Sequence, residues 1–167
     1  MKKYFYYLCM GLVGMLFLNS CDDDDDDIRV SEVPKVVMNT FDTMFSNVDK
    51  AEWEKNRGYY VAEFWYANTI VEAWFDSKGA WCMTETDLGM NLANLPEAVQ
   101  QAFNGGQYAT WRVDDIDKYE RPNETFYLIE VEKNGQRDRN LFFAPDGLVL
   151  KDDVDRDGNE VTPDIQF

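Results

Sequence analysis

The sequence has no histidine among its 167 residues. Histidine is the commonest general base and a frequent metal ligand, so its absence excludes Ser–His and Cys–His catalysis and imidazole metal sites. Acidic residues are abundant, but no spacing among them selects a pair of carboxylates for acid–base or glycosidic chemistry. We therefore predict that the chain is not an enzyme and has no catalytic residue, no cofactor and no metal site.

Cysteine is scarce: the chain has Cys9, Cys21 and Cys82. We expect Cys9 to leave with an N-terminal signal and Cys21 to be modified, so that Cys82 remains alone and no intramolecular disulfide forms. A nucleophilic role for Cys82 would need a base to generate the thiolate. Its neighbours Trp81 and Met83 instead favour a buried position on a strand.

Lysine and arginine are few, 16 against 32 aspartates and glutamates, and the formal net charge is −16. Loss of residues 1–20 would remove Lys2 and Lys3 but no acid, which shifts the charge to −18. Nucleic acids and bare anionic lipid surfaces are bound by clustered basic side chains. The balance therefore argues against nucleic acid and against direct contact of the folded part with anionic lipid.

The N-terminus has the pattern of a secretory signal, with Lys2 and Lys3 before an uncharged apolar stretch over residues 4–18. The stretch is short for a membrane-spanning helix. It ends in "LNSC" at residues 18–21, which resembles the bacterial lipobox, where the cysteine is acylated and becomes the mature N-terminus; the asparagine is less usual there. We predict lipid attachment at Cys21. An ordinary signal with an incidental cysteine is the alternative.

Six consecutive aspartates follow at residues 22–27. Like charges repel and cannot be packed, so we expect an extended, solvated tether. An acidic run after a lipidated cysteine also resembles the export signal of some Bacteroidetes lipoproteins. That resemblance implies a lipid-anchored protein at the outer membrane or cell surface, with membrane contact through the N-terminal lipid only. A plain soluble spacer is the alternative.

The chain contains an internal repeat. "VPKVVMNTF" at residues 33–41 aligns with "LPEAVQQAF" at 95–103, "YYVAEFWY" at 59–66 aligns with "FYLIEVEK" at 126–133, and "FDSKGAW" at 75–81 aligns with "FAPDGLV" at 143–149. The order of these segments is the same in both halves. We therefore predict one supersecondary unit written twice.

Each half reads as one helix followed by four antiparallel strands, an α+β fold. Pro34 and Pro96 open amphipathic helices, and "NGG" at residues 104–106 is expected to end the second helix through a left-handed glycine. The period then changes to two, as in strands. "NG" at residues 134–135 predicts a tight hairpin. The predicted divisions are a signal at 1–20, a tether at 21–30, repeats at 31–94 and 95–153, and a tail at 154–167.

A family resemblance rests on the proline-started helix, Trp53, the "Y-x-V-x-F"-like strand at residues 59–64 and the "F-D-x-x-G-x-W" turn at 75–81. Over about residues 31–153 the chain resembles the PepSY-like, or β-lactamase-inhibitor-like, family of Bacteroidetes secreted lipoproteins. The resemblance implies one continuous sheet with helices on one face and a concave opposite face. In the β-lactamase inhibitor protein that face grips an enzyme. Its disulfides are absent here and none of its hot-spot residues can be matched, so inhibition of a β-lactamase is not implied.

The strand residues out of phase with the core frame are unusually apolar and aromatic. Exposed apolar patches commonly mark interaction sites, and tryptophan and tyrosine are enriched at binding hot spots. Glu63 and Glu72 in the same frame would steer a basic partner. We predict that the sheet face opposite the helices binds a protein or peptide through Val61, Trp65, Ile70, Trp74 and Phe142.

Two alternatives remain open for this face. The tail, a loop or a second chain could cover it as ordinary core, because patterning does not distinguish a patch from a covered core. The bound partner could also be a glycan, with the same tryptophans as stacking platforms. The leading hypothesis is a lipid-anchored binding module that inhibits a secreted or envelope enzyme.

The segment "DVDRDGNEVTPD" at residues 153–164 matches the opening of a calcium loop, with alternating Asp153, Asp155 and Asp157 before a glycine. The match then weakens, because Asp164 replaces the usual bidentate glutamate and no helices flank the loop. We favour a solvated turn over a calcium site.

Overall fold

The computed structural model describes residues 26–155 and 160–167. The predicted signal and residues 21–25 of the predicted tether, including Cys21, lie outside the described residues. The expectation of an unpaired tether over residues 21–30 is wrong for Asp26–Ile28, which form a strand paired with residues 53–55. Within the described part of the chain, no helix is long and apolar enough to cross a bilayer.

The described residues form two α-helices and a nine-stranded sheet. The elements are β1 (Asp26–Ile28), α1 (Lys35–Met44), β2 (Glu52–Asn56), β3 (Tyr59–Tyr66), β4 (Thr69–Phe75), β5 (Trp81–Asp87), α2 (Glu97–Asn104), β6 (Arg112–Arg121), β7 (Glu124–Glu132), β8 (Arg139–Phe143) and β9 (Val149–Val154). The strands lie in chain order across the sheet, each antiparallel to its neighbours. The predicted α+β class with antiparallel strands is confirmed.

Both helices begin directly after a proline, Pro34 for α1 and Pro96 for α2. Proline is well tolerated at a helix start because the first backbone N–H groups have no partner within the helix. Each helix then buries two apolar residues one turn apart, Val37 and Phe41 in α1 and the matching pair Val99 and Phe103 in α2. This spacing directs a single apolar stripe at the sheet.

The register places both helices on the same face of the sheet. Ala73 on β4 pairs with Thr84 on β5, Thr84 with Glu120 on β6, and Glu120 with Thr125 on β7. Directly paired residues share a face and residues two apart share it as well, so Tyr127 lies on the face of Ala73. Ala73 packs in the core under α1 and Tyr127 in the core under α2.

Aromatic rings fill the core under α1. The Phe41 ring lies 5.2 Å from Trp53 and 5.1 Å from Phe64, between ring centroids and in edge-on geometry. Such pairs contribute about 0.5–1.5 kcal/mol each beyond the burial of their area. Ala62 and Phe64 pack here in the alternation expected for β3.

Two turns that contain glycine bring the sheet into close contact with the helices. Gly79 lies between β4 and β5 with φ +83°, and a Cβ there would be 2.8 Å from the carbonyl oxygen of Val36 in α1. Gly147 lies between β8 and β9 with φ +88°, and a Cβ there would be 2.6 Å from the carbonyl oxygen of Ala98 in α2. Both turns need glycine for its left-handed backbone and for the close approach to a helix.

Two local predictions need correction. The second helix ends at "NGG" as expected, but Gly105 has φ −86°, so the glycine provides space rather than a left-handed cap; an added Cβ would lie 3.3 Å from the Gln101 oxygen. The "NG" pair lies in a turn with Gly135 at φ +78°, yet residues 133–138 separate β7 from β8. The predicted tight hairpin is therefore wrong, because a longer loop joins the strands.

Candidate functional site

The sheet face opposite the helices has an apolar centre, and the C-terminal segment of the chain covers it. Val161 is buried there and Ile165 packs against it. The Phe167 ring lies 4.8 Å from Phe126 and 5.5 Å from Phe142, between centroids. We call this centre the covered patch; its buried sheet residues are Val61, Trp74, Met83, Tyr119, Phe126, Leu128 and Phe142.

The five predicted contact residues divide into two groups. Register confirms that β3 and β4 share this face, since Val61 pairs with Trp74 and Trp65 with Ile70. Val61, Trp74 and Phe142 are 2%, 0% and 3% exposed, whereas Trp65 is 70% exposed. Ile70 is half-buried beside Trp65. The expectation of an open face is therefore wrong at the centre of the face, because the C-terminal segment covers that centre. The face is open at its margin, which we define by Trp65 and Ile70.

Four glutamates form a row across this face beside the covered patch. Glu52 on β2 pairs with Glu63 on β3, Glu63 with Glu72 on β4, and Glu72 with Glu85 on β5. Directly opposed side chains on a sheet lie about 4.5–5.5 Å apart at Cβ, and like charges in such pairs are destabilising. We call these residues the glutamate row. Sequence reasoning identified its two middle members but missed the outer two, since only the register places them together.

The electrostatics of the row follow from burial and like charge. Burial raises the pKa of Glu72 to about 8, with Glu160 and then Glu63 adding to the rise. Burial and then the charge of Glu52 also raise the pKa of Glu63. Each upward shift in pKa means that the folded protein disfavours the ionised carboxylate relative to the protonated carboxyl group. A cation beside the row would relieve this cost.

The row borders a groove with a strongly acidic lining. The groove lies at the β1–β4 end of the sheet, and Val61 is the apolar side chain of this face that lines it. Five carboxylates surround it: Asp27, Glu52, Glu54, Glu63 and Glu72. A groove of this charge suits an ammonium or guanidinium group.

A wider recess of about 440 Å³ lies at the margin, next to the exposed indole of Trp65. Its other walls include hydrogen-bonding side chains of Asn68, Thr69, Asp87 and Asn94. The Thr69 hydroxyl donates to the backbone oxygen of Asp87 at 2.6 Å, which joins the walls from β4 and β5. The recess therefore combines a flat aromatic surface with polar groups.

Three aspartates missed by sequence reasoning also meet on this face. The carboxylate oxygens of Asp87, Asp115 and Asp117 lie within 4.8 Å of one another, because β5 and β6 pair Asp87 with Asp117. Carboxylate oxygens are ligands for hard cations, so the group could hold one. The signal in the sequence was the alternation of acids on β6, but the partner strand was needed to complete the group.

The candidate calcium loop at 153–164 includes residues 156–159, which lie outside the described residues. Its described acids have other contacts. Asp153 lies 3.2 Å from the Lys151 ammonium, Asp155 accepts from Asn140 at 3.3 Å, and Asp164 accepts from the hydroxyl of Tyr59 at 3.0 Å.

Cys82 lies on β5 as predicted but is only partly buried. The ladder shifts here, since Trp74 pairs with Met83 and Phe75 with Trp81, so Cys82 is the extra residue of a bulge. Burial raises the pKa of its thiol. A raised pKa disfavours the reactive thiolate at neutral pH.

The fold and this face define a class: an α+β protein with two helices on one side of a sequential antiparallel sheet. A family model described as "Putative beta-lactamase-inhibitor-like, PepSY-like" matches residues 58–151. The chain belongs to this PepSY-like family, as the sequence motifs indicated. A comparison with curated proteins found no match.

Solved structures from Bacteroides species share the fold. A DUF2874 family protein from Bacteroides ovatus is 33% identical with a TM-score of 0.70, covering 72% of this chain and 86% of its own. A BLIP-like protein from Bacteroides fragilis is 31% identical with a TM-score of 0.71, covering 77% and 91%. A protein from Bacteroides eggerthii named among "putative periplasmic proteins" is 27% identical with a TM-score of 0.70, covering 73% and 88%.

Proposed function

We propose that this chain is a lipid-anchored binding module of the cell envelope or surface. It captures a basic protein or peptide through the sheet face opposite the helices and thereby inhibits a secreted or envelope enzyme. The glutamate row is the observation that carries this proposal. Burial and neighbouring carboxylates raise the pKa of Glu63 and Glu72, and a cationic partner would favour the ionised form of both.

The acidic groove supplies the recognition. Glu52 is exposed and Glu63 and Glu72 are half-buried, so a lysine or arginine side chain can reach the row from solvent. Charge-assisted hydrogen bonds to such a side chain are stronger than neutral ones. The acidic field would also accelerate encounter with a basic partner.

The margin supplies apolar contact. Trp65 projects into solvent and Ile70 lies beside it, so both can touch a partner while the C-terminal segment stays in place. Val61, Trp74 and Phe142 can contribute only when that segment is absent. Lipid attachment at Cys21 would hold the face near the membrane, and two or more acyl chains anchor a protein stably. The divisions at residues 31–94 and 95–153 are proposed as two copies of one unit.

Names of relatives support the class of function. The family name and the BLIP-like protein from Bacteroides fragilis both refer to β-lactamase inhibitors. The name of the Bacteroides eggerthii protein refers to the periplasm. These names favour a binding role outside the cytoplasm for this chain.

Charge reversal tests the proposal. The double variant Glu52→Lys and Glu63→Lys should reduce capture of basic envelope proteins in a crosslinking pull-down by about tenfold or more, because steering and charge pairing are both lost. The matched control, Asp42→Lys and Glu97→Lys, makes the same change in net charge on exposed helix positions. Equal capture by both folded variants would contradict a role for the row.

The recess at Trp65 favours a second candidate, glycan binding. An exposed indole beside Asn68, Asn94 and Asp87 is a suitable platform for a sugar ring with hydrogen bonds at its edge. Trp74 is fully buried and cannot serve as a second platform. Soluble polysaccharides should then quench tryptophan fluorescence in the wild type but not in Trp65→Ala. Absence of quenching in the wild type would contradict this candidate.

A further inference from the structure

The C-terminal segment, residues 160–167, is attached to the sheet face by side chains. Arg121 donates from Nη1 to the backbone oxygens of Pro163 at 3.1 Å and Ile165 at 2.8 Å. The Tyr59 hydroxyl donates to Asp164 at 3.0 Å. Asn56 donates from Nδ2 to Glu160 at 2.6 Å. These contacts and three apolar side chains define how a peptide segment is held on this face.

The segment does not extend the sheet. Among residues 26–155 and 160–167, the ladder consists of β1 to β9 alone, and the backbone hydrogen bond found for the segment runs internally from Ile165 N–H to the Thr162 oxygen. A segment outside the strand ladder can open locally while the ladder stays intact. Its removal would therefore uncover the patch without breaking strand pairing.

The segment fits the apolar centre well and the acidic side poorly. Val161, Ile165 and Phe167 match the covered patch. Glu160, however, brings a carboxylate toward the glutamate row, and after burial its charge is the largest cause of the raised pKa of Glu72. An occupant with positive charge at this position would replace repulsion by attraction.

Asn56 gives an independent indication of the missing chemistry. Its side chain is fully buried and reaches the segment through Nδ2, while its Oδ1 is buried without a donor among the described residues. Buried polar atoms are rarely left unsatisfied in native structures. With its amide turned over, Asn56 would present Oδ1 instead of Nδ2 to the position of Glu160 and accept a hydrogen bond from an ammonium or guanidinium group there.

We propose that residues 160–167 are an internal ligand that occupies the partner site and is displaced by a peptide segment that forms the same turn and carries a basic residue at the position of Glu160. The apolar residues of that segment repeat the spacing of Val161, Ile165 and Phe167. This inference rests on the proposed binding function of the same face. It adds the form of the partner and the reason that the free protein does not expose the patch.

The test uses the full chain with Val161→Asp and Ile165→Asp, which should release the segment from the covered patch and leave β1 to β9 in place. The probes are labelled peptides in fluorescence anisotropy: "EVTPDIQF", the same peptide with Glu160→Lys, and a control peptide with Val161→Asp and Ile165→Asp. We call the protein with these two substitutions the emptied variant. It should bind the first peptide, bind the lysine peptide about tenfold more tightly or better, and show no binding to the control peptide. Wild type should bind the first peptide more weakly than the emptied variant does.

Four results would overturn the inference. A folded variant that binds neither the first peptide nor the lysine peptide would show that the face is not a peptide site. Equal affinity for these two peptides would show that recognition does not depend on a basic residue at this position. Loss of folding in the variant would show that the segment is integral core. Native-state hydrogen exchange on the wild type tests displacement of the segment without any substitution. The Ile165 amide should exchange well before the Ile129 amide in β7. Exchange of the Ile165 amide at the rate of global unfolding would contradict displacement.

The peptide experiment separates this inference from the proposed function. Peptide binding by the emptied variant requires no natural partner. If the peptides bind as expected while reversal of Glu52 and Glu63 leaves capture of envelope proteins unchanged, the internal ligand stands and the proposed recognition by the glutamate row fails.

Discussion

Replacement of Glu72 by glutamine should stabilise the protein at neutral pH. Glu72 lies in the middle of the glutamate row, and burial followed by the charges of Glu160 and Glu63 raises the pKa of its carboxyl from 4.5 to about 8. The folded protein therefore retains a proton that the unfolded chain has lost. The stability contributed by this group is present below pH about 4.5 and is lost progressively as pH rises through about 8.

The magnitude follows from the separation of the two pKa values. Each pH unit between them costs about 1.4 kcal/mol, so at pH 7 the folded state pays about 3 kcal/mol for Glu72 relative to its value in acid. Glutamine has nearly the same shape and no charge to bury. Glu72→Gln should therefore raise the free energy of unfolding by about 3 kcal/mol at pH 7 and by little near pH 4.

Urea denaturation across this pH range measures the effect, with the midpoint and slope recorded separately. Asp42→Asn is the matched control, since it removes one carboxylate from an exposed position of α1. A similar gain in both variants would assign the effect to net charge alone. A loss of stability for Glu72→Gln at pH 7 would refute the reasoning about burial and like charge.

Two further predictions concern packing. Gly147→Ala should cost about 2 kcal/mol or more in free energy of unfolding, because the new Cβ would lie 2.6 Å from the Ala98 oxygen as well as requiring φ +88°. Gly135→Ala, with φ +78° and no atom within 4 Å of the Cβ, should cost about 1 kcal/mol, and an equal loss in both would argue against the close contact with α2. Trp74→Ala should cost about 3–5 kcal/mol in thermal or urea unfolding, whereas Trp65→Ala should change stability by about 0.5 kcal/mol or less. Comparable losses at the two positions would contradict the covered centre and open margin of the face.

The sequence by itself was sufficient for the class of fold and for most of its elements. Prolines before α1 and α2, helical spacing of Val37 and Phe41, and period two in β3 are local properties of adjacent residues. They predict which face of each element is apolar, because a helix or strand has a fixed period. They also placed Val61, Trp74, Trp65 and Ile70 on one face, which the register bears out.

Only the tertiary structure decided which part of that face is open. Residues 160–167 return over a hundred positions in sequence to meet Tyr59, and nothing in their short apolar pattern specifies that destination. The glutamate row likewise depends on strand register, since Glu52, Glu63, Glu72 and Glu85 come together across four strands. Periodicity assigns side chains to faces, but coverage and charge clustering are set by contacts between distant segments, which only the folded chain brings together.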